Sequence, residues 1–414
     1  MKHSGSTNWL MVEATWKETL LLSGMHAALC GAVLAVLHFT GIADWSPNML
    51  MQFDAVHYAK IANSGYQGFL QAFFPLFPMA WKALGTGAWG ISLLNAILYL
   101  SALVWLARLL KPSRAAFIVW LVVPSALFYF VPYTESFFFT SSVLLLFGVI
   151  RRLPWVTCVG LVLCGLTRPA FTVVVPALGL LSFLRHGFTA TAFKEILLWI
   201  ASASVSILLV SIIQNQSTGE WLGFINAQAG WNNSLRLPEL PFTSWGGAPS
   251  VRLDAVALLF GTLSLAWLAV LIVVRRQPSP PPALIISLSY IASITASVVA
   301  FRGGELFSLN RFVFATPFAL VVLSSASQLR ETVSRAPAWL IFIAISCFFL
   351  IMGSYVHVQP FLAYCAIALY VTWLISLPRL PSAVQAISFW GWVLTTLGLQ
   401  IFYYIRFIQG SWVA

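Results

Sequence analysis

The sequence predicts an all-α polytopic membrane protein with about thirteen transmembrane helices. Of its 414 residues, 60% are hydrophobic and 8% are charged, whereas soluble domains are about half apolar and about a quarter charged. The apolar residues occur in blocks of roughly 18 to 22, the length of a helix that crosses a hydrocarbon core of about 30 Å. Helices are expected because a backbone in lipid has to satisfy its own hydrogen bonds.

Positive charge marks the ends of these blocks. The formal net charge is +11, but the basic residues form no run longer than a pair, so the charge does not predict a nucleic-acid partner. Most of them lie where the positive-inside rule places cytoplasmic loops. The clusters are Arg108/Lys111/Arg114, Arg151/Arg152, Arg185, Arg275/Arg276, Arg330/Arg335 and Arg379.

The blocks and the charges together predict a topology with the N-terminus inside. The first block begins near Leu20 without an A-x-A cleavage site, so we expect a retained helix and not a removed signal. The whole chain, 1–414, is expected to form one membrane-embedded domain. The predicted helices are 19–42, 88–109, 115–132, 136–150, 153–168, 170–185, 195–213, 255–274, 283–300, 312–328, 337–354, 360–377 and 383–405.

Two long polar stretches, 43–87 and 214–254, then face outward. In the first, Ser46-Pro47 predicts the start of a short helix and Asn63-Ser64-Gly65 its end. The block 72–84 contains two prolines, and counting it as a span would move the basic cluster that follows the next helix to the outside. We therefore predict that it forms a horizontal helix on the outer membrane surface.

Asp54 is the strongest candidate for chemistry in this loop. In a helix, His57 and Tyr58 follow it at i+3 and i+4, so the three side chains share one face. A carboxylate could remove the proton of a hydroxyl there, while the imidazole and the phenol contact the substrate. The alternative is that Asp54 only caps or solvates a surface helix.

Four further charged residues stand at the outer ends of apolar blocks. A charge at the position of Glu135 is costly unless it is paired or faces a wet cavity, so it is a candidate second acid or sugar ligand; a helix cap is the alternative. Arg168 precedes Pro169, and a proline break at membrane depth indicates a cavity. Arg302 and Arg311 flank the loop FRGGELFSLNR. The three arginines could bind an anionic phosphate with their planar fork of donors or simply snorkel to lipid.

The second outer loop adds Gln228, a hydrogen-bonding side chain close to Trp221, Phe224 and Trp231. These aromatic rings could stack on a sugar or lie in the membrane interface. The five cysteines all lie inside apolar blocks without a CxxC pair or a neighbouring His. No metal site, disulfide or cofactor is predicted from them.

Several of these segments resemble one family. FDAVHYAKIANSGY at 53–66, followed by AFFPLFP at 72–78, resembles the first luminal loop of the PIG-V family, the GPI mannosyltransferase II enzymes and their bacterial relatives. Similar motifs follow in the same order up to about residue 317, whereas 330–414 carries none. They are YTES at 133–136, Arg168-Pro169, the G-x4-F-x3-Q-x2-W spacing at 219–231, and Asn310-Arg311-Phe312.

The resemblance implies a C-class glycosyltransferase (GT-C) fold and inverting transfer of mannose from a polyprenyl-phosphate donor to a lipid or glycan acceptor. It maps the family's loop aspartate onto Asp54. For a bacterial relative it implies the plasma membrane, with the active site facing the periplasm or the cell exterior. The alternative function is a transporter or flippase for a lipid-linked sugar, whose ionisable residues would lie near the bilayer midplane on broken helices. Here they gather at one face, which favours an enzyme.

Overall fold

The computed structural model describes residues 12–42, 46–231, 233–274, 280–333, 337–353, 358–376 and 382–413. In these ranges the chain is helical apart from turns, loops and two isolated β-bridges, Glu13 with Ser113 and Thr243 with Glu305. The α-helices are α1 Trp16–Phe39, α2 Asp54–Ser64, α3 Leu76–Leu84, α4 Ala88–Leu110, α5 Arg114–Leu121, α6 Glu135–Arg151, α7 Pro154–Thr167, α8 Val174–His186, α9 Ala190–Thr218, α10 Gly223–Gly230, α11 Ala248–Val274, α12 Pro282–Phe301, α13 Leu309–Phe314, α14 Pro317–Val333, α15 Ala338–Phe348, α16 Val358–Ser376 and α17 Ser382–Ile408. Short 3-10 helices cover Pro47–Met49, Gly68–Ala72, Pro124–Tyr129, Pro169–Val173 and Phe349–Met352.

Seven helices among the described residues are long and apolar enough to cross a membrane, and three shorter ones are also apolar. The chain is therefore an all-α polytopic membrane protein. The larger number of crossings expected from the sequence stays a prediction. The seven are Trp16–Phe39, Ala88–Leu110, Pro169–His186, Ala190–Thr218, Ala248–Val273, Pro282–Phe301 and Ala383–Ile408.

Proline interrupts two segments that the sequence predicts as continuous helices. The segment 115–132 divides into α5 and a 3-10 helix that starts at Pro124, because the residue before a proline is forced out of the helical conformation. The segment 312–328 divides into α13 and α14, and α14 starts at Pro317. Both interruptions lie beside the site described below.

The first outer loop differs from its prediction at one end. Only a 3-10 turn follows Ser46, and α2 starts later, at Asp54. The predicted stop is confirmed: Gly65 ends α2 with a φ of 77°, a conformation that glycine adopts without steric cost. The predicted horizontal block 72–84 contains α3, which starts at Leu76.

Helices α6 and α7 form a closely packed hairpin. A Cβ atom added at Gly148 would lie 2.6 Å from the backbone nitrogen of Thr157, and one at Gly160 would lie 2.6 Å from that of Leu145. Glycine is therefore required at both positions for the two backbones to approach. This hairpin brings the first residue of α6 and the end of α7 to the same end of the bundle.

The C-terminal helix packs against the first outer loop. The ring of Phe407 lies 5.6 Å from that of Tyr133 and 6.3 Å from that of Phe53. The hydroxyl of Tyr403 donates a hydrogen bond to the carbonyl of Pro249. Helix α17, which lies in the part of the chain without a recognisable motif, thus packs beside the site.

Candidate functional site

Asp54 is the first residue of α2 and lies largely buried, with 9% of its surface exposed. The preceding residue, Phe53, has a φ of 50°. Residues other than glycine rarely adopt positive φ, and such strain costs on the order of 1–3 kcal/mol. The strained residue turns the chain so that the carboxylate of Asp54 points into the protein at the start of a helix, where the helix dipole favours negative charge.

Glu135 is the first residue of α6 and is completely buried. The loop before it is held by Asn95 of α4, whose side-chain amide donates hydrogen bonds to the carbonyls of Val131 and Tyr133, at 2.6 and 2.8 Å. The hydroxyl of Thr134 donates to the carbonyl at the end of α7. These bonds fix the N-terminus of α6 against α7.

Arg168 follows the last residue of α7 and has an extended conformation, as expected before Pro169. Its Nη2 lies 3.1 Å from Oε1 of Glu135, and both side chains are buried. The second terminal nitrogen of Arg168, Nη1, has no hydrogen-bond partner among the described residues, and neither has Oε2 of Glu135. A buried arginine that is only partly satisfied is a candidate for binding an anion.

Arg311, on α13, joins the two carboxylates. Its Nη1 lies 2.8 Å from Oδ2 of Asp54, and its Nε lies 3.0 Å from Oε1 of Glu135. These are ion-pair distances, but the N–H directions fall outside hydrogen-bond geometry, so the attraction is mainly between charges. We call Asp54, Glu135, Arg168 and Arg311 the carboxylate–arginine network.

Asp254, a residue that the sequence analysis did not single out, holds α13 in place. It is fully buried on α11, and its Oδ1 accepts hydrogen bonds from the backbone N–H and the side-chain amide of Asn310, at 2.8 and 2.7 Å. Its Oδ2 accepts a bond from Ser244. Asp254 therefore positions the residue next to Arg311. A signal was present in the sequence, because Asp254 directly precedes the apolar run AVALLFG, and a carboxylate there is costly without partners.

Arg302 lies in a second group of polar residues. Its Nε donates to Oδ1 of Asn233 at 3.1 Å, and its Nη1 donates to the carbonyl of Phe307. The amide of Asn233 in turn donates to Oε1 of Gln228. Arg236 also joins this group by donating to the Arg302 carbonyl at 2.8 Å. We call Gln228, Asn233, Arg236 and Arg302 the arginine–amide group; Asn233 and Arg236 were not predicted from the sequence.

The ring of Phe312 connects the network to the arginine–amide group. The guanidinium carbons of Arg168, Arg302 and Arg311 lie 4.9, 5.6 and 5.7 Å from its centroid. Arg168 and Arg311 form ion pairs with carboxylates, whereas Arg302 forms none among the described residues. Three guanidinium groups thus surround one ring, and that of Arg302 has no carboxylate within ion-pair distance among the described residues.

His57 and Tyr58 occupy different surroundings on α2. The His57 ring lies 5.4, 5.2 and 5.8 Å from those of Phe69, Phe73 and Trp231. Burial lowers the His57 pKa below its ordinary value, and the nearby Asp54 opposes that shift. Tyr58 is buried and packs on Phe73. Burial, together with the negative charge of Asp54, raises the Tyr58 pKa well above 10.

The structure thus brings four of the predicted residues into one network and places the others around it. Gln228 and Arg302 meet through Asn233, and His57 joins an aromatic cluster with Trp231. Among the described residues, no group of three or more His, Cys, Asp or Glu side chains could hold a metal ion.

Comparison of the chain with protein-family models, with curated proteins and with solved structures found no match. The resemblance to the PIG-V family therefore stays a prediction from the motifs.

Proposed function

We propose that the protein is a membrane glycosyltransferase, of GT-C fold and related to the PIG-V family. It transfers a sugar, mannose by the resemblance, from a polyprenyl-phosphate donor to a hydroxyl of a lipid or glycan acceptor, with inversion. The reaction takes place on the non-cytoplasmic face, in a bacterium the outer side of the plasma membrane. The observation that carries the proposal is the carboxylate–arginine network beside the unneutralised Arg302.

Asp54 is the proposed general base. Its Oδ2 lies 2.8 Å from Nη1 of Arg311, which leaves Oδ1 for the proton of the acceptor. The side chain is 12% exposed, so a hydroxyl can reach it. As the acceptor oxygen bonds to the anomeric carbon, its proton passes to Asp54. The bond from that carbon to the donor phosphate breaks, and polyprenyl phosphate leaves with the electron pair.

The three arginines around Phe312 are the proposed site for the donor phosphate. The leaving phosphate gains negative charge in the transition state, and positioned guanidinium groups stabilise such charge. Arg302 forms no ion pair with a carboxylate in the part of the chain that the structure describes, and Nη1 of Arg168 has no hydrogen-bond partner there. Arg311 is already shared between Asp54 and Glu135, so its main role is to hold the base.

The aromatic cluster of His57, Phe69, Phe73 and Trp231 is the proposed contact for a sugar ring. It adjoins Asp54, because His57 and Asp54 lie one helical turn apart. Gln228 lies close by, three residues before Trp231, and supplies a polar group. Sugars commonly place their C–H faces on aromatic rings and their hydroxyls on such groups.

Purified protein in detergent should be incubated with radiolabelled polyprenyl-phosphate mannose and a panel of lipid acceptors. The proposal expects a new glycolipid whose anomeric configuration is inverted relative to the donor. The alternative, a transporter or flippase, expects no new glycosidic bond but movement of the labelled donor across proteoliposome membranes. If the labelled donor crossed the membrane and no glycolipid formed, the proposed enzyme activity would be wrong.

A further inference from the structure

A charged cavity lies at the opposite end of the molecule from Asp54. It has a volume of about 790 Å³ and is lined by the α6–α7 connection, the end of α8 and the start of α9. Helix α6 starts at Glu135 in the network and ends at Arg151, beside this cavity. Its 17 residues span about 25 Å at 1.5 Å per residue. The cavity and the network therefore lie near opposite faces of the membrane.

Two arginines give the cavity a positive side. Arg152 caps α6, and Arg185, in the last turn of α8, donates a hydrogen bond to the carbonyl of Val149. Neither forms an ion pair with a carboxylate among the described residues. Both positive charges are thus open to an anion, although one N–H of Arg185 is already donated to Val149.

Glu195, the one carboxylate among the described residues that line the cavity, is already occupied. Oε2 of Glu195 accepts a hydrogen bond from Ser182 at 2.7 Å, and its Oε1 lies 3.3 Å from Nε2 of His186. Glu195 therefore does not neutralise the two arginines directly.

The remaining wall of the cavity is apolar. Leu268, Leu271 and Ile272 of α11 and Ile285 of α12 line it. A positive rim above an apolar wall matches an amphiphile with an anionic head, and the volume lies within the usual range of ligand sites, about 300–1,000 Å³. Basic pockets between helices at a membrane surface bind anionic lipid head groups.

We propose that this cavity binds a lipid with an anionic phosphate head group. The phosphate lies between Arg152 and Arg185, and an acyl or prenyl chain lies along the α11 wall. A phosphodiester such as phosphatidylglycerol and a monoester such as polyprenyl phosphate share this chemistry. The proposal does not depend on the transferase activity, because the site lies far from Asp54.

Native mass spectrometry of the full-length protein, titrated separately with phosphatidylglycerol, polyprenyl phosphate and phosphatidylcholine, tests the proposal. We expect an anionic lipid to be retained in preference to phosphatidylcholine. Whichever of phosphatidylglycerol and polyprenyl phosphate is retained more strongly identifies the kind of lipid that the cavity binds. Removing each arginine should weaken retention about fivefold. Arg151→Gln is the matched control, because Arg151 is exposed at the same helix end but does not line the cavity.

Two further variants keep the test decisive if Arg152→Gln or Arg185→Gln fails to fold. Glu195→Gln removes the nearby negative charge and should tighten retention of the anionic lipid. Leu271→Trp leaves every charge in place but fills the apolar wall and should weaken it. The proposal would be overturned if phosphatidylcholine were retained as strongly as the anionic lipids, or if Arg151→Gln weakened retention as much as the cavity arginine variants do. It would also be overturned if Glu195→Gln and Leu271→Trp had no effect on retention.

Discussion

Arg311 lies 2.8 Å from Asp54, although the two residues come from opposite ends of the segment that carries the motifs. The pairing has two consequences. It places a positive charge beside the largely buried Asp54, and it makes the position of the proposed base depend on α13. Because α13 is held by Asp254 through Asn310, the geometry of the base rests on residues that never contact it.

Arg311→Gln should strongly destabilise the protein. It leaves Asp54 without its ion-pair partner, and removing one partner of a buried pair typically costs about 3–5 kcal/mol. A thermal melt in detergent should show a clear fall in Tm. The control is Arg406→Gln, since Arg406 forms no ion pair among the described residues, and its Tm should be nearly unchanged.

A double variant checks whether charge is the cause. Arg311→Gln combined with Glu135→Gln removes one buried negative charge as well, so its Tm should fall by less than the sum of the two single changes. Strictly additive falls would contradict a coupled network.

Arg302→Gln should impair donor capture and lower Tm only modestly, through the lost bonds to Asn233 and to the Phe307 carbonyl. It removes a guanidinium that neutralises no carboxylate, so the donor KM should rise about 10- to 100-fold, the effect of one charge-assisted hydrogen bond. Arg168→Ala should raise the donor KM too, but it should also lower Tm because Glu135 loses a partner. Steady-state kinetics with varied donor concentration would measure the KM of each variant, with Arg406→Ala as the control, and thermal melts would measure the Tm. An unchanged KM in Arg302→Gln would remove Arg302 from the phosphate site.

The sequence predicts the helical class and most of the residues that meet in the site. The lengths of the hydrophobic blocks and the positions of the basic clusters are sufficient to predict the helical membrane class, since both follow from the properties of the bilayer. Asp54 was selected for the pattern of its helix face, and Glu135 for the cost of an unpaired charge at its position. Arg168 and Arg311 were selected as arginines near helix ends that could bind phosphate. The convergence of the four residues in one network is consistent with those choices.

The partners of each charge could not be predicted. Which arginine meets which carboxylate depends on the close α6–α7 packing at Gly148 and Gly160 and on where the chain breaks at Pro317. The late start of α2 depends on the positive φ of Phe53, which no residue preference indicates. The proline break made Arg168 the better candidate in sequence, and only tertiary contacts show that Arg168 forms an ion pair with a carboxylate.

The topology can be tested by cysteine labelling in sealed vesicles. In a cysteine-free background, Ser64→Cys, at the end of α2, and Thr191→Cys, at the start of α9, are both exposed positions. We expect a membrane-impermeant maleimide to label them from opposite sides. Labelling of both from the same side would reject the proposed orientation.

His57 should make the folded protein sensitive to acid. Burial lowers its pKa below the ordinary 6.5, so the unfolded chain binds a proton more readily than the folded one. Stability is therefore complete above about pH 6.5 and falls as the pH drops towards the lowered pKa. His57→Phe keeps the aromatic contacts but cannot be protonated, so its Tm should fall less than that of the parent between pH 7.5 and pH 5. Parallel melts at the two pH values decide this, and identical losses of Tm would exclude His57 as a source of the sensitivity.

Asp54→Asn is the decisive test of the mechanism. The amide keeps the shape of the side chain but cannot accept the acceptor's proton, so transfer should fall about 10²- to 10⁴-fold, as is typical when a general base is lost. The fold should survive, because Arg311 still pairs with Glu135 at 3.0 Å. Donor binding should be nearly intact, because the donor phosphate is proposed to lie on Arg302 and Arg168.

The matched control for Asp54→Asn is Glu239→Gln. Glu239 is an exposed carboxylate of the second outer loop, and its side chain has no hydrogen bond or ion pair among the described residues. Its replacement should leave turnover near normal, so the comparison separates the loss of a base from the loss of one negative charge on the outer face. Full activity in Asp54→Asn would mean that another group removes the proton. A loss of activity accompanied by aggregation would assign Asp54 to the stability of the network, whereas a loss in a monodisperse protein that still binds donor assigns it to the chemical step.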